Sequence, residues 1–449
     1  MPFVPNTSKN EQDILNALGI ASFEELLSDI PTDVRIDGNL DLPPQLSELE
    51  AVQLLRRLAG RNKNLHEYAC FIGGGAYDHY VPTAVDHIIS RSEFYTAYTP
   101  YQPEVSQGTL QAGFEYQSMI CELTGMEVTN SSLYDGGSSL AEAVLVLNGI
   151  KPGKRMLVSA GINPHYRKIM QTYAWGQRIE LIEIPLSTEG VTDLDRLESL
   201  ASEPTAGVFV QHPNFFGNLE NVNELEEIAH AAEASYVVSV DPLSLGILSP
   251  PGVYGADIVT GEGQVFGNQL NFGGPYLGIF CVNKELVRKL PGRLIGETVD
   301  LKGRRGFVMT LRTREQDIRR EKATSNICTN QALNALAATV YLSLLGKQGI
   351  KEVAEHCLQK SHYLVDQITQ LGNFSSRYSG PYFKEFVLNC PVNAADVIDK
   401  LKEDGILAGL DLGRFYPDRK NQLLVAVTEK RSKAELDGYV SALEKHFST

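Results

Sequence analysis

The sequence predicts an α/β protein, with one large, mostly parallel sheet flanked by helices and a smaller α+β region after it. Between Met126 and about Asn283, short apolar runs alternate with helical stretches, the pattern of strands joined by crossover helices. Before that stretch the periodicity is helical. Beyond about Asn330, two helical runs precede β-like segments mixed with more helices. These shifts divide the chain into a helix-rich N-terminal region and interface arm (1–125), a large α/β domain (126–330) and a small C-terminal α+β domain (331–449).

In the first region, Ser47 followed by Glu50 is a capping box, because each side chain can satisfy a free backbone N–H at a helix start. The helix it opens carries Leu54, Leu55 and Leu58 and stops at Gly60. A second helix is expected from about Ser106 to Gly125, with Leu110, Phe114, Ile120 and Leu123 on one side. Between them, the glycines at 73–75 read as loop punctuation. The expected sheet strands lie at 156–159, 179–184, 208–211, 237–240, 258–259 and 277–280. A charged, glycine-containing stretch at 292–330 follows. Near the C-terminus, 386–388 and 423–427 read as strands, and 395–403 and 432–446 as helices.

A formal net charge of −15 argues against nucleic-acid binding, which needs clustered Lys and Arg to neutralise phosphates. No apolar run is long enough to span a membrane and no secretory signal is visible, so a cytoplasmic location is expected. The six cysteines are widely spaced and the histidines form no HExxH-like pair, so free thiols and no metal are expected.

The sharpest local signal is Asp135, Gly136, Gly137 and Ser138, which follow a short strand and open a helix. Glycines let the backbone approach an anion, and the free N–H groups of a helix start point toward it. An ordinary glycine turn is the alternative. Downstream, His212 and Asp241 fall at strand ends, where open α/β sheets bind ligands. A glycine-rich helix start, a ring and a later Asp suggest pyridoxal phosphate (PLP), the Asp keeping the pyridine nitrogen protonated. A core histidine and a strand-end cap are the plainer readings of His212 and Asp241. PLP also needs a Schiff-base lysine, expected in 255–266. None occurs there, and the first lysine after Asp241 is Lys284. The chain therefore reads as the frame of a PLP enzyme without its covalent anchor.

Two further segments stand out. Residues 94–104 hold Tyr95, Tyr98, Tyr101 and Glu104 with two prolines, a rigid polar loop suited to a ligand pocket or subunit interface. Residues 293–322 carry nine basic and five acidic side chains, either a solvated face or a docking surface for an acidic partner.

Four long motifs then carry a resemblance. They are Phe71 to Pro82, Glu93 to Gln111, Thr313 to Asn330, and Leu412 to Pro417 together with Leu423 to Glu429. Over nearly its whole length the chain resembles the alpha-subunit family of split glycine dehydrogenase (decarboxylating), the P-protein of glycine cleavage. That resemblance implies a type I PLP-enzyme (aspartate aminotransferase-like) fold. It implies a beta subunit that holds the PLP, in an α2β2 assembly, and decarboxylation of glycine with transfer of the aminomethyl group to the lipoyl group of H-protein. Ungapped matching to the beta half puts Gln264 near its lysine position. Tyr95, Tyr98, Tyr101 and Glu104 then become candidates for reaching the partner's active site. Asp135, Gly136, Gly137, Ser138, His212, Asp241 and Gln264 become remnants of a vacant one. A stand-alone PLP enzyme with its lysine elsewhere, and a non-catalytic scaffold, are the competing readings.

Overall fold

The apolar runs of 126–283 become the strands of one seven-stranded sheet in the computed structural model, which describes residues 6–447 apart from 37, 39, 152–154 and 272. The strands are β1 (Val128–Thr129), β2 (Arg155–Ser159), β3 (Leu181–Ile184), β4 (Thr205–His212), β5 (Ser235–Val240), β6 (Ile258–Glu262) and β7 (Gly278–Val282). Their order is β1-β7-β6-β5-β4-β2-β3, and the pairs from β6 through β3 are parallel. Only β7 runs against its neighbours β6 and β1. The central strands are apolar on both faces because helices cover both, as buried parallel sheets require. Register positions the site: His212 pairs with Val240 and Val240 with Gly261. The residues that follow, Asp241 and Glu262, therefore emerge on the same edge of the sheet.

The helix Gln107–Thr124 ends at Gly125 in the left-handed conformation, as its sequence signals expected. In the stretch 292–330 the sequence showed no strands, yet Leu294–Val299 and Arg305–Thr310 form an antiparallel hairpin. Much of its charge is paired locally, Arg305 with Glu297 at 2.7 Å and Arg304 with Asp300 at 2.7 Å. The two helical runs expected after Asn330 form one helix, Ala332–Thr369, broken at Gly346. The four-stranded antiparallel sheet beyond it contains β8 (Ser375–Ser376), β9 (Glu385–Asn389), β10 (Leu410–Asp411) and β11 (Gln422–Ala426), in the order β8-β9-β11-β10.

One compact unit extends to Lys63 and a second begins at Asn64. Within the first, the helices Ser8–Leu18 and Glu48–Ala59 both start with capping boxes, the second being Ser47 with Glu50. Leu49, Leu55 and Leu58 of that second helix are exposed. No described helix is long and apolar enough to cross a membrane. All six cysteines are free; Cys70, Cys281, Cys357 and Cys390 are buried, and Cys328 is exposed.

Candidate functional site

The predicted helix start is real, and its geometry is tight. Asp135 caps the helix Gly136–Asn148, accepting a 2.7 Å hydrogen bond from the Ser138 amide while its own amide donates to Ser138 Oγ at 3.2 Å. Gly136 and Gly137 are buried in the first turn. A Cβ on Gly136 would lie 2.8 Å from Tyr166 Oη and 3.0 Å from Glu262 Cβ, so protein already occupies the space beside it. The amide of Gly136 donates to Glu262 Oε2 at 2.9 Å. Glu262 Oε1 accepts from the amides of Gln264 (3.0 Å) and Leu277 (2.9 Å). Burial pushes this carboxyl up to about 8, against the pull of the three amides.

Gln264 is 1% exposed, in the short turn after β6. Its Oε1 accepts from the Tyr77 amide at 2.9 Å, and its Nε2 donates to the carbonyls of Tyr77 (3.1 Å) and Asn268 (2.6 Å). The side chain is fully engaged, fastening Tyr77 with two of its bonds and the turn at Asn268 with the third.

Asp241 accepts from the Leu243 amide at 3.2 Å and forms an ion pair with Lys384 Nζ at 2.8 Å. Lys384 lies just before β9 and is 1% exposed. Its ammonium is also 3.6 Å from the centre of the Tyr77 ring and 3.1 Å from His79 Nε2. A ring nitrogen facing an ammonium must accept, so His79 carries its hydrogen on Nδ1 and gives it to Glu429 Oε2, 2.6 Å away. Burial raises the Glu429 carboxyl, but the His79 ring and the Tyr80 amide outweigh it and hold the group at about 2. Cys357 lies beside the same pair, its Sγ 3.5 Å from Glu429 Oε2. The Lys384 ammonium against His79 opposes a cation among these three donors.

His212 is buried but turned to another purpose. Its Nδ1 accepts from the Glu220 amide at 3.1 Å, and burial lowers the ring to about 4, so it is neutral at pH 7. Asp135, Gly136, Ser138, Asp241 and Gln264 thus belong to one connected cleft, joined by Glu262, Tyr77 and Lys384, while His212 serves the turn beside it. Sequence reasoning missed Glu262, Tyr77, His79, Lys384, Glu385 and Glu429. The tyrosine loop stands apart: Tyr95 is 68% exposed, Tyr98 is 83% exposed, and Tyr101 and Glu104 are also exposed. Tyr95 and Tyr98 border a cavity with Arg293, whose guanidinium bonds Thr99 Oγ1 (2.8 Å) and Asn330 Oδ1 (3.0 Å).

The cleft does not fit PLP. An anion at the helix start, a proton donor on the Asp and an amine at the strand end would all be required. At the positions the sequence predicts for these groups, Glu262 occupies the helix start, Lys384 occupies Asp241, and the strand end carries Gln264 in place of a lysine. Nor can Lys384 be the missing anchor. The nitrogen and the aldehyde-bearing carbon lie at opposite vertices of the pyridine ring, and Lys384 is held against Asp241, the residue expected at the nitrogen.

Comparison with known proteins gives a consistent picture. The family model of the glycine cleavage system P-protein matches residues 1–443. The chain is 53% identical over 443 residues to the probable glycine dehydrogenase (decarboxylating) subunit 1 of Carboxydothermus hydrogenoformans, covering 99% of each chain. It is 54% identical over 444 residues to the same-named chain of Prosthecochloris aestuarii, again over 99% of each. Among solved structures, glycine decarboxylase (P-protein) of the glycine cleavage system, in inhibitor-bound form, superposes with a TM-score of 0.90 at 41% identity, covering 99% of this chain and 100% of that one. Glutamate decarboxylase of Lactobacillus brevis gives a TM-score of 0.69 at 13% identity over 92% of this chain, a likeness of fold alone. The fold is the type I PLP-enzyme fold.

Proposed function

The chain belongs to the glycine cleavage system P-protein family, and from that premise we propose that it is the non-lysine-bearing alpha half of a two-subunit glycine dehydrogenase (decarboxylating). It acts with a beta subunit that carries PLP, in an α2β2 assembly in the cytoplasm, on glycine and on the lipoyl group of H-protein, with no nucleic-acid or membrane partner. When bound in the beta subunit, PLP supplies the electron sink for loss of CO2. The observation that carries this reading is Gln264. At the strand end where the resemblance expects an anchor, the chain has an amide spent on the backbone of Tyr77 and Asn268.

In this reading the chain's own contribution comes from the loop 94–104. Tyr95, Tyr98, Tyr101 and Glu104 are exposed on a segment that Arg293 fastens through Thr99. They enter the partner's active site, where the tyrosines exclude water and orient substrate and Glu104 holds or moves a proton. Asp135, Gly136, Gly137, Ser138, His212, Asp241 and Gln264 are remnants of a cofactor site on this chain.

The test is glycine-dependent exchange of labelled bicarbonate in the presence of H-protein, with this chain, the beta subunit and the mixture assayed in parallel. Exchange in the mixture alone is expected. Exchange by this chain alone would overturn the reading.

A further inference from the structure

The contacts of the cleft go further than a missing lysine. Resting on the assignment of PLP to the beta subunit, we propose that the former cofactor cleft of this chain is filled from within and now works as a lock between the large and small sheets. The Glu262 carboxyl group sits in a phosphate's place at the Gly136 helix start, the Lys384 ammonium takes the place of a pyridine N–H on Asp241, and the strap 71–80 lies across both.

Three lines of geometry carry this. First, the cradle is occupied at its first amide. The Gly136 amide, which a phosphate oxygen would need, donates to Glu262 at 2.9 Å, and two more amides fix the same carboxyl group. Secondly, Lys384 is not a mobile surface lysine that a ligand could displace. It is buried against Asp241, His79 and the face of Tyr77. Moving it would strand the largely shielded Asp241 without its counter-ion.

Thirdly, the strap joins two cores. Phe71 is packed in the core of the small sheet and Tyr77 in that of the large one. Between them the Gly74 amide and the Tyr77 hydroxyl both donate to Glu385, each at 2.7 Å. The Gly74 carbonyl accepts from Asn163 Nδ2, also at 2.7 Å. A Cβ on Gly73 would fall 2.3 Å from Glu385 Oε1 and 2.6 Å from Ala426 Cβ, so this glycine permits the close approach. Beyond Tyr77, Asp78 binds Arg431 (2.8 Å) and Lys430 (2.6 Å). Lys384, Glu385 and Glu429 belong to the small-sheet side; Asp241 and Gln264 belong to the large sheet. Asp241, through Lys384, and Gln264, through Tyr77 of the strap, now hold one sheet to the other.

It follows that restoring a lysine does not restore a cofactor site. The full-length chain and its Gln264→Lys variant are incubated with PLP, reduced with borohydride and mapped by peptide mass. Neither is expected to carry a stoichiometric adduct. One adduct per chain in the parent would overturn the assignment of PLP to the beta subunit. A blank parent with one adduct per chain at position 264 of the variant would overturn the lock and leave that assignment standing.

Should the buried substitution prevent folding, the parent chain is dialysed against pyridoxamine phosphate, which needs no lysine. No binding is expected, and one equivalent per chain overturns the proposal. Finally, Glu262→Ala empties the cradle. Inorganic phosphate at about ten times its Kd is expected to raise the Tm of that variant by about 2 °C and to leave the parent unmoved. An equal response in both overturns the stand-in role of Glu262.

Discussion

Two regions of this molecule carry unusual side chains, and they are opposites. In the cleft at the sheet edge, Lys384, His79, Glu262 and Glu385 lie buried and Asp241 and Glu429 partly buried, and the contacts above engage each of them. In the loop 94–104, three tyrosines and a glutamate face solvent on a backbone that prolines and Arg293 hold in place. Buried polar groups are expensive unless paired, so a region that pairs all of them specifies structure. Exposed aromatics on a fixed loop contribute little to the fold and suit binding, since tyrosine offers contact area at small entropic cost. The cleft looks like an active site and behaves as a joint; the loop looks like a linker and has the form of a working surface.

The largest expected effect falls on the joint. Lys384→Met leaves Asp241 buried without its counter-ion and is expected to destabilise the chain by about 3–5 kcal/mol, read from the denaturant midpoint. Adding Asp241→Leu should recover much of that loss. A single variant costing under about 1 kcal/mol would show that the pair is not structural.

Next comes the pH dependence of the joint. Burial raises Glu262 to about 8 from its ordinary value of 4.5. Between those values the unfolded chain has released this proton and the folded chain keeps it, so this group lowers stability as pH rises from 4.5 toward 8. Glu262→Gln should flatten the stability profile relative to the parent by roughly 2–3 kcal/mol between pH 5 and pH 8. Parallel profiles for the two chains would contradict the burial argument. Glu429, held at about 2, acts in the other direction. Its contribution is present above 4.5 and fades as pH falls toward 2.

For the loop, the expectation reverses. Tyr95→Phe with Glu104→Gln should leave the stability of this chain within about 0.5 kcal/mol of the parent, while the exchange rate of the reconstituted complex drops roughly ten- to a hundredfold. Unchanged exchange would move the loop to the class of passive contacts.

How much of this the sequence shows depends on how local each feature is. The sheet is legible because strands buried on both faces are apolar throughout, and His212 at the end of β4 and Asp241 just past β5 mark themselves by position. The hairpin of Leu294–Val299 and Arg305–Thr310 was not, because its strands are half-exposed and carry paired charges that break the apolar run. Asp135 and the glycines were legible as a helix start, but not the acceptor at their amides. Glu262 sits in the very stretch where a lysine is expected, and its role depends on a fold-level approach to Gly136. Lys384 reaches Asp241 only through tertiary packing, far beyond any local pattern. The glycines of the strap suggested a loop, although the close approach of Gly73 to Glu385 and Ala426 requires the first of them.

The smallest effect separates a remnant from a working part inside the cleft itself. A residue kept only as a trace of cofactor binding should be silent when removed. Asp135 is not placed for silence, because it accepts from the Ser138 amide while Ser138 Oγ accepts in return. Removing such a cap costs about 1 kcal/mol, and asparagine keeps most of it. Asp135→Ala is therefore expected to lose about that much stability and Asp135→Asn a few tenths, both read from denaturant midpoints, with exchange in the reconstituted complex unaltered. An alanine variant as stable as the parent would remove Asp135 from the joint. A loss beyond about 3 kcal/mol would exceed any single cap and mean that the aspartate braces the Glu262 cradle as well.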